Sequence, residues 1–266
     1  MASLSIYLRL IGAQVRGQMQ YRVSFILMSW STFSSTIVEL LAVIILFNTF
    51  SSLGGWSLGE VALLYGLVSV AFGFTDTIGS GFENVATLIR TGDFDRMLVR
   101  PMPTFVQVLS ADFQLRRLGR VAQGLVALGL AQWWLGMDWT LAKALVFTTA
   151  LASTSVVFFT VLLLGAALCF WTIERSEVQN IFTYGGTEMA SYPMHIYNRW
   201  MQAAFILIVP LTLTTYYPAI YLLDKPDLIG LPGVLRFTAP LVAAAFLAVG
   251  LWVWGQGMRH YQSTGS

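Results

Sequence analysis

The chain has 266 residues; 56% are hydrophobic, only 11% are charged, and the formal net charge is +2 at pH 7. An ordinary soluble domain carries about 25% charge, so this composition excludes one and places the chain among membrane proteins as a single membrane domain. So small a net charge excludes electrostatic capture of nucleic acid, and the lone Cys169, inside an apolar run, excludes a disulfide framework or thiolate metal site.

Residues 1–22 lack the short apolar core and small-residue cleavage site of a signal peptide. Leu4, Leu8, Ile11, Val15 and Met19 fall on one helical face, and Arg9 and Arg16 fall away from it. Residues 1–22 therefore read as an amphipathic helix in the membrane interface. It either anchors the chain or also braces a cytoplasmic partner.

A helix needs about 20 apolar residues to cross a hydrocarbon core roughly 30 Å thick. Six segments of the region 23–266 are expected to cross, at about 23–50, 58–82, 118–135, 144–173, 201–223 and 237–258. The expected fold is an all-α integral membrane protein. Both termini then share a side. That side receives twelve Lys or Arg residues, including Arg90, Arg96, Arg100, Arg116, Arg117, Arg120, Arg175 and Arg199, against Lys143, Lys225 and Arg236 opposite. Cytoplasmic loops carry the excess of positive charge, so both termini are expected in the cytoplasm. Aromatic residues flank the outer loops, among them Trp56, Trp133, Trp134, Trp139, Tyr216, Tyr217 and Tyr221. Gly119, Gly124 and Gly129 read as helix-packing positions.

Thr172–Trp200 is too polar for lipid and contains a Gly185-Gly186 pair and a Tyr192-Pro193 turn. It reads as an elbow at the cytoplasmic interface. Two carboxylates fall in or near spans, where ionisable groups default to functional hypotheses. Glu39 is a candidate for the pathway or a subunit interface, with a protonated, hydrogen-bonded helix contact as the alternative. Asp76, beside Thr75 and Thr77, is a second pathway or interface candidate, with a structural role as the favoured reading. Tyr216 and Tyr217 join the pathway or interface candidates. His195 and His260 have no companion ligands and read as surface histidines.

The most polar stretch is TLIRTGDFDRMLVRPMP, Thr87–Pro103. Gly92 can end one helix in a left-handed conformation, Asp93 can cap the next, and Pro101 restrains Arg100. The intervening helix of about two turns puts Phe94, Met97 and Leu98 on one face. So short a helix is unstable alone in water, so something must receive that face. Asp93 and Asp95 sit among three arginines, a poor cation site.

With QMQYRVSFIL (Gln18–Leu27) and IVPLTLTTYYPAIYLL (Ile208–Leu223), this stretch resembles the permease subunits of ABC-2-type transporters, in particular the bacterial subfamily of six-span permeases of roughly 260 residues. The resemblance covers the whole chain through order and spacing. It implies an exporter subunit of the bacterial inner membrane. Two permease subunits, identical or homologous, would form the pathway in membrane lipid, and two copies of a separate ABC ATPase would supply the energy. It implies a coupling helix at Asp93–Val99, with Phe94, Met97 and Leu98 as apolar contacts and Asp93, Asp95, Arg96 and Arg100 around them. The chain has no G-x-x-x-x-G-K-[ST] phosphate loop, so ATP and Mg would reside on the partner and this chain is no enzyme. The expected cargo is amphiphilic or hydrophobic. The alternatives are a secondary transporter, which favours inverted repeats, and, further off, a membrane enzyme acting on lipid, which needs a cluster of convergent catalytic groups.

Overall fold

The computed structural model describes residues 2–49, 52–172 and 177–262. Phe50, Ile173 and Arg175, and the side chains of Leu4, Leu8, Arg22 and Glu39, lie outside the described residues. Among those described, the chain is helical, and its single β contact is the bridge between Leu53 and Trp56. Helix α1 (Ala2–Gln20) leads into α2 (Arg22–Thr49) and α3 (Leu58–Gly79). A 3-10 turn (Ser80–Asn84) continues into α4 (Val85–Arg90), followed by α5 (Asp93–Leu98) and α6 (Thr104–Leu109). Then come α7 (Leu118–Leu135), α8 (Leu141–Thr172), and α9 (Glu177–Asn180), joined through a π turn (Ile181–Gly185) to α10 (Gly186–Ala190). The chain closes with α11 (Arg199–Leu207), α12 (Leu211–Thr214), α13 (Tyr216–Leu222) and α14 (Ala239–His260).

Among the described residues, three helices are long and apolar enough to cross a membrane: Leu58–Arg90, Leu141–Thr172 and Ala239–His260. The first is 83% buried over its best window and the last only 22%, so α3 is the central post and α14 lies at the periphery. Helix α7 packs antiparallel on α3. A Cβ on Gly66 would lie 2.7 Å from Leu128, and one on Gly124 would lie 2.8 Å from the Val70 nitrogen. These two glycines let the backbones approach, as small residues do between membrane helices. Gly129 meets open space instead.

At the charged-loop end, Arg117 joins α3 to the turn that follows it. Its Nη2 donates to Glu83 at 2.9 Å, and its Nη1 pairs with Asp76. All three side chains are nearly buried, at 12–14% exposure. Burial works to lower the Arg117 pKa. The hydrogen bond to Glu83 and the charges of Asp76 and Glu83 outweigh it, and the net shift is upward. Arg120 lies over the Phe72 ring at 5.0 Å. Helix α1 lies at this same end. Gln14 donates to the Ala111 carbonyl at 2.9 Å; Gln18 donates to that of Phe113 and accepts from the Leu115 nitrogen at 3.2 Å. Its glutamines thus brace this chain's own loop between α6 and α7.

The segment expected to cross at 201–223 is not one straight helix. Helix α11 and the α12–α13 run are bent by 74° across the break before Leu211, where Pro210 has no backbone donor. Both flanks are tied to one turn. His195, just before α11, donates through Nε2 to the Gly54 carbonyl at 2.8 Å, and Lys225, just after α13, donates to that of Gly55 at 2.7 Å. A crossing would separate its ends by roughly 30 Å. Both flanks of the pair therefore lie at the Trp56 end, and its bend packs against the helices. Phe205 meets the Phe182 ring at 6.3 Å, and Leu211 lies beside Gly186.

The interfacial elbow expected at Thr172–Trp200 is corrected too. Residues 177–190 are continuously helical and run antiparallel to α8, with Gln179 against Gly165 and Gly186 near Phe158. Tyr184 meets Phe72, and Met194 joins the cluster containing Trp56. The hydroxyl groups are absorbed locally. Thr183, Thr187 and Ser191 each donate to the carbonyl four residues earlier, at 2.9, 2.7 and 2.8 Å. Gly185 and Gly186 do not break the helix; their φ values are −62° and −63°. Arg199 therefore lies at the Trp56 end, and among the described residues the basic asymmetry is ten against four.

Two measurements test this fold. Single cysteines at Arg199 and Asp224, in a Cys169→Ser background, should react with a membrane-impermeant maleimide from the same side; labelling from opposite sides restores a through-crossing. Arg117→Met removes the cation that joins Asp76 to Glu83 and should cost about 3–5 kcal/mol, read as a lowered unfolding midpoint in detergent.

Candidate docking helix and associated sites

Gly92 adopts φ 72° and turns the chain between α4 and α5. Only glycine takes this conformation freely. Asp93 is the first residue of α5 rather than its cap. It accepts from the Thr91 hydroxyl at 2.9 Å and from Arg96 at 3.1 Å. A carboxylate in the first turn complements the helix dipole. The exposed Arg96–Asp93 pair adds little stability.

Phe94 faces the opposite way from its expected role. It is fully buried in its own chain, against Phe170 at 5.3 Å and Tyr261 at 4.8 Å between ring centroids. The Tyr261 hydroxyl donates to Asp95 at 2.8 Å. The Tyr261 pKa is pushed up to about 12 by burial, then by its hydrogen bond to Asp95 and that residue's charge. Gln107 closes the far end of the helix, donating to the carbonyls of Met97 at 2.8 Å and Met102 at 3.0 Å. Met97 is half-buried against the same cluster. Spacing of i, i+3 and i+4 defines a face but not what lies beneath it. Here the fold supplies the cover from α8 and the residue after α14.

What remains outside is Leu98 at 43% exposure, Val99 at 84%, and the exposed side chains of Arg96, Arg100 and Pro101. This is a small apolar ridge rimmed by arginines. It is held from below by an aromatic cluster in which Phe170 also meets Trp254 at 5.1 Å.

The other candidates lie elsewhere. Asp76 belongs to the Arg117 cluster. Glu39 falls in α2, and its side chain is outside the described residues. Tyr216 and Tyr217 are buried at the Trp56 end. Tyr216 stacks on Trp56 at 5.8 Å, and its hydroxyl lies 3.3 Å from His195 Nδ1. The Tyr217 hydroxyl donates to Asp227 at 3.2 Å. Neither lines an open surface of this chain. His195 is thus a tether rather than a free surface histidine.

Sequence reasoning missed several contacts. Lys225 pairs with Glu60 at 2.9 Å and lies over the Trp56 ring at 5.2 Å. Glu60 also accepts from the Ser57 nitrogen at 2.7 Å. The Ser57-x-x-Glu60 spacing was a legible signal for that last bond. Tyr261 beneath Asp95 had none, because 166 residues separate them.

Helices of membrane length, an amphipathic N-terminal helix and a basic end with an exposed ridge define a multi-pass membrane protein. The chain belongs to the ABC-2 family of transporter proteins: the model of that family, described as ABC-2 family transporter protein, matches residues 33–265. No curated protein and no solved structure matches the chain.

Phe94→Ala should cost about 3–5 kcal/mol, as for other buried Phe→Ala changes. Val99→Ser should stay within about 0.5 kcal/mol, as surface changes do. Thermal unfolding of the two purified variants distinguishes them, and equal midpoints would contradict the burial of Phe94.

Proposed function

We propose that this chain is the permease subunit of an ABC-2-type exporter, working as a dimer in the bacterial inner membrane with both termini cytoplasmic. Six segments cross in this reading: α2, α3, α7, α8, the run 177–190, and α14. The α11–α13 pair re-enters from the outer side. A separate ABC ATPase, one copy per permease, holds ATP and Mg and seats on the ridge of Leu98, Val99, Arg96 and Arg100.

One observation carries the proposal. Helix α5 is locked to its own chain through Phe94 and Asp95, and it turns Leu98 and Val99 outward. A short helix with one anchored face and one exposed apolar edge can transmit a push from a docked protein without unfolding. The basic bias among the described residues, ten against four, supports the orientation. The class of cargo is supported by Phe74, Ile181 and Tyr184, large apolar or aromatic side chains exposed on α3 and the adjoining π turn. A second subunit facing them would enclose an apolar path suited to amphiphilic molecules.

The test is purification in mild detergent. A Walker-A protein of roughly 30–40 kDa should accompany the wild-type chain. Val99→Asp should lower its recovery at least tenfold, and cargo-stimulated ATP hydrolysis with it, while the unfolding midpoint of the permease holds. Full recovery with Val99→Asp and Leu98→Asp together would remove the docking assignment.

A further inference from the structure

A cavity of about 180 Å³ lies between α8, the run 177–182, the bend before Pro210, and α14. Val161, Leu164, Leu168, Phe182, Ile208 and Phe246 line it, and among its lining residues Gln179 brings the one side-chain amide. Gln179 is 5% exposed, and its Nε2 has no hydrogen-bond partner. Its position is enforced: a Cβ on Gly165 would fall 2.2 Å from the amide carbon, so glycine there makes room for the carboxamide. The π turn begins two residues on, and the Thr183 hydroxyl donates to the Gln179 backbone carbonyl at 2.9 Å. Such turns widen a helix locally and recur at functional sites.

An unpaired buried N–H calls for an acceptor. Water is a poor one here. A buried water needs 2–4 polar partners, and an apolar cavity of similar size, roughly 150 Å³, stays dry and takes up hydrocarbon. The space is too small for a drug-sized molecule, which needs about 300 Å³ or more. It suits a short stretch of chain. The rim points to where that chain comes from: Leu168 is 43% exposed on α8, a helix of membrane-crossing length, and Ile208 is 60% exposed on the adjoining bend, so with α8 in a bilayer the mouth opens on hydrocarbon.

We infer that this cavity binds an acyl chain of a bilayer lipid, with the Gln179 amide donating to its ester carbonyl. The site rests on the membrane embedding of α8 and is independent of the cargo and of the ATPase.

The permease alone, in nanodiscs of phosphatidylcholine and phosphatidylethanolamine, tests it. The probes are a diacyl phosphatidylethanolamine with a diazirine in one acyl chain and its dialkyl ether counterpart, which has no carbonyl. After illumination, peptides containing Leu164–Leu168 or Ile208–Val209 should carry the ester probe several-fold more than the ether probe. Gln179→Leu, which removes the donor at similar volume, should lower ester labelling to the ether level. Leu164→Trp, which fills the space from its partly exposed wall, should abolish both. Unfolding midpoints report whether each variant is intact, and one intact variant of the two suffices. Equal ester and ether labelling, labelling indifferent to an intact variant, an ordered water alone on Gln179, or a second copy of the chain crosslinked across the mouth would each overturn the assignment.

Discussion

The arrangement of the charged end depends on one nearly buried cation. Arg117 sits where α7 begins, between Asp76 on α3 and Glu83 on the turn after α3. An arginine so enclosed is tolerated because two carboxylates meet its planar fork. Through it, the central post, the turn that redirects the chain toward the charged loop, and the start of the next helix have a fixed relation. The loop from 85 to 112 hangs from that joint. Without it, α4, α5 and α6 would be short helices with little of their own to hold them.

The second constraint is aromatic. Phe94, Phe170, Tyr261 and Trp254 form one packed group at the base of α5, with Phe82 and Phe105 continuing it. The group joins the short helix to α8 and to the end of α14. Force applied to the ridge would therefore be delivered to two long helices at once. The left-handed turn at Gly92 sets where α5 begins, and aromatic packing decides what moves with it.

Much of this was legible in the residues. Charge scarcity announced the membrane class, and Gly92 and Pro101 bounded α5 correctly to within a residue. Two things were not legible. The run 177–190 was disqualified by its hydroxyls and glycines, yet the hydroxyls bond to their own helix backbone and the glycines stay helical. Its polarity, counted residue by residue, overstated what the helix presents to its surroundings. The segment 201–223 was apolar enough to pass as a span, but hydropathy carries no direction, and only the ties of His195 and Lys225 to one turn put both of its flanks at one end. Phe94 failed for a related reason: periodicity located its face but not the distant Phe170 and Tyr261 beneath it.

Those ties accept through main-chain oxygens of Gly54 and Gly55, which have φ values of 58° and 80°. Every amino acid carries such an oxygen, so chemical identity at the receiving positions is irrelevant to the bond, whereas backbone shape is decisive. A Cβ on Gly54 would also fall 2.6 Å from the His195 ring. A substitution at either glycine would meet a limit of backbone shape, whereas one at either donor would lose a hydrogen bond, and a single turn carries both kinds of restriction back to back.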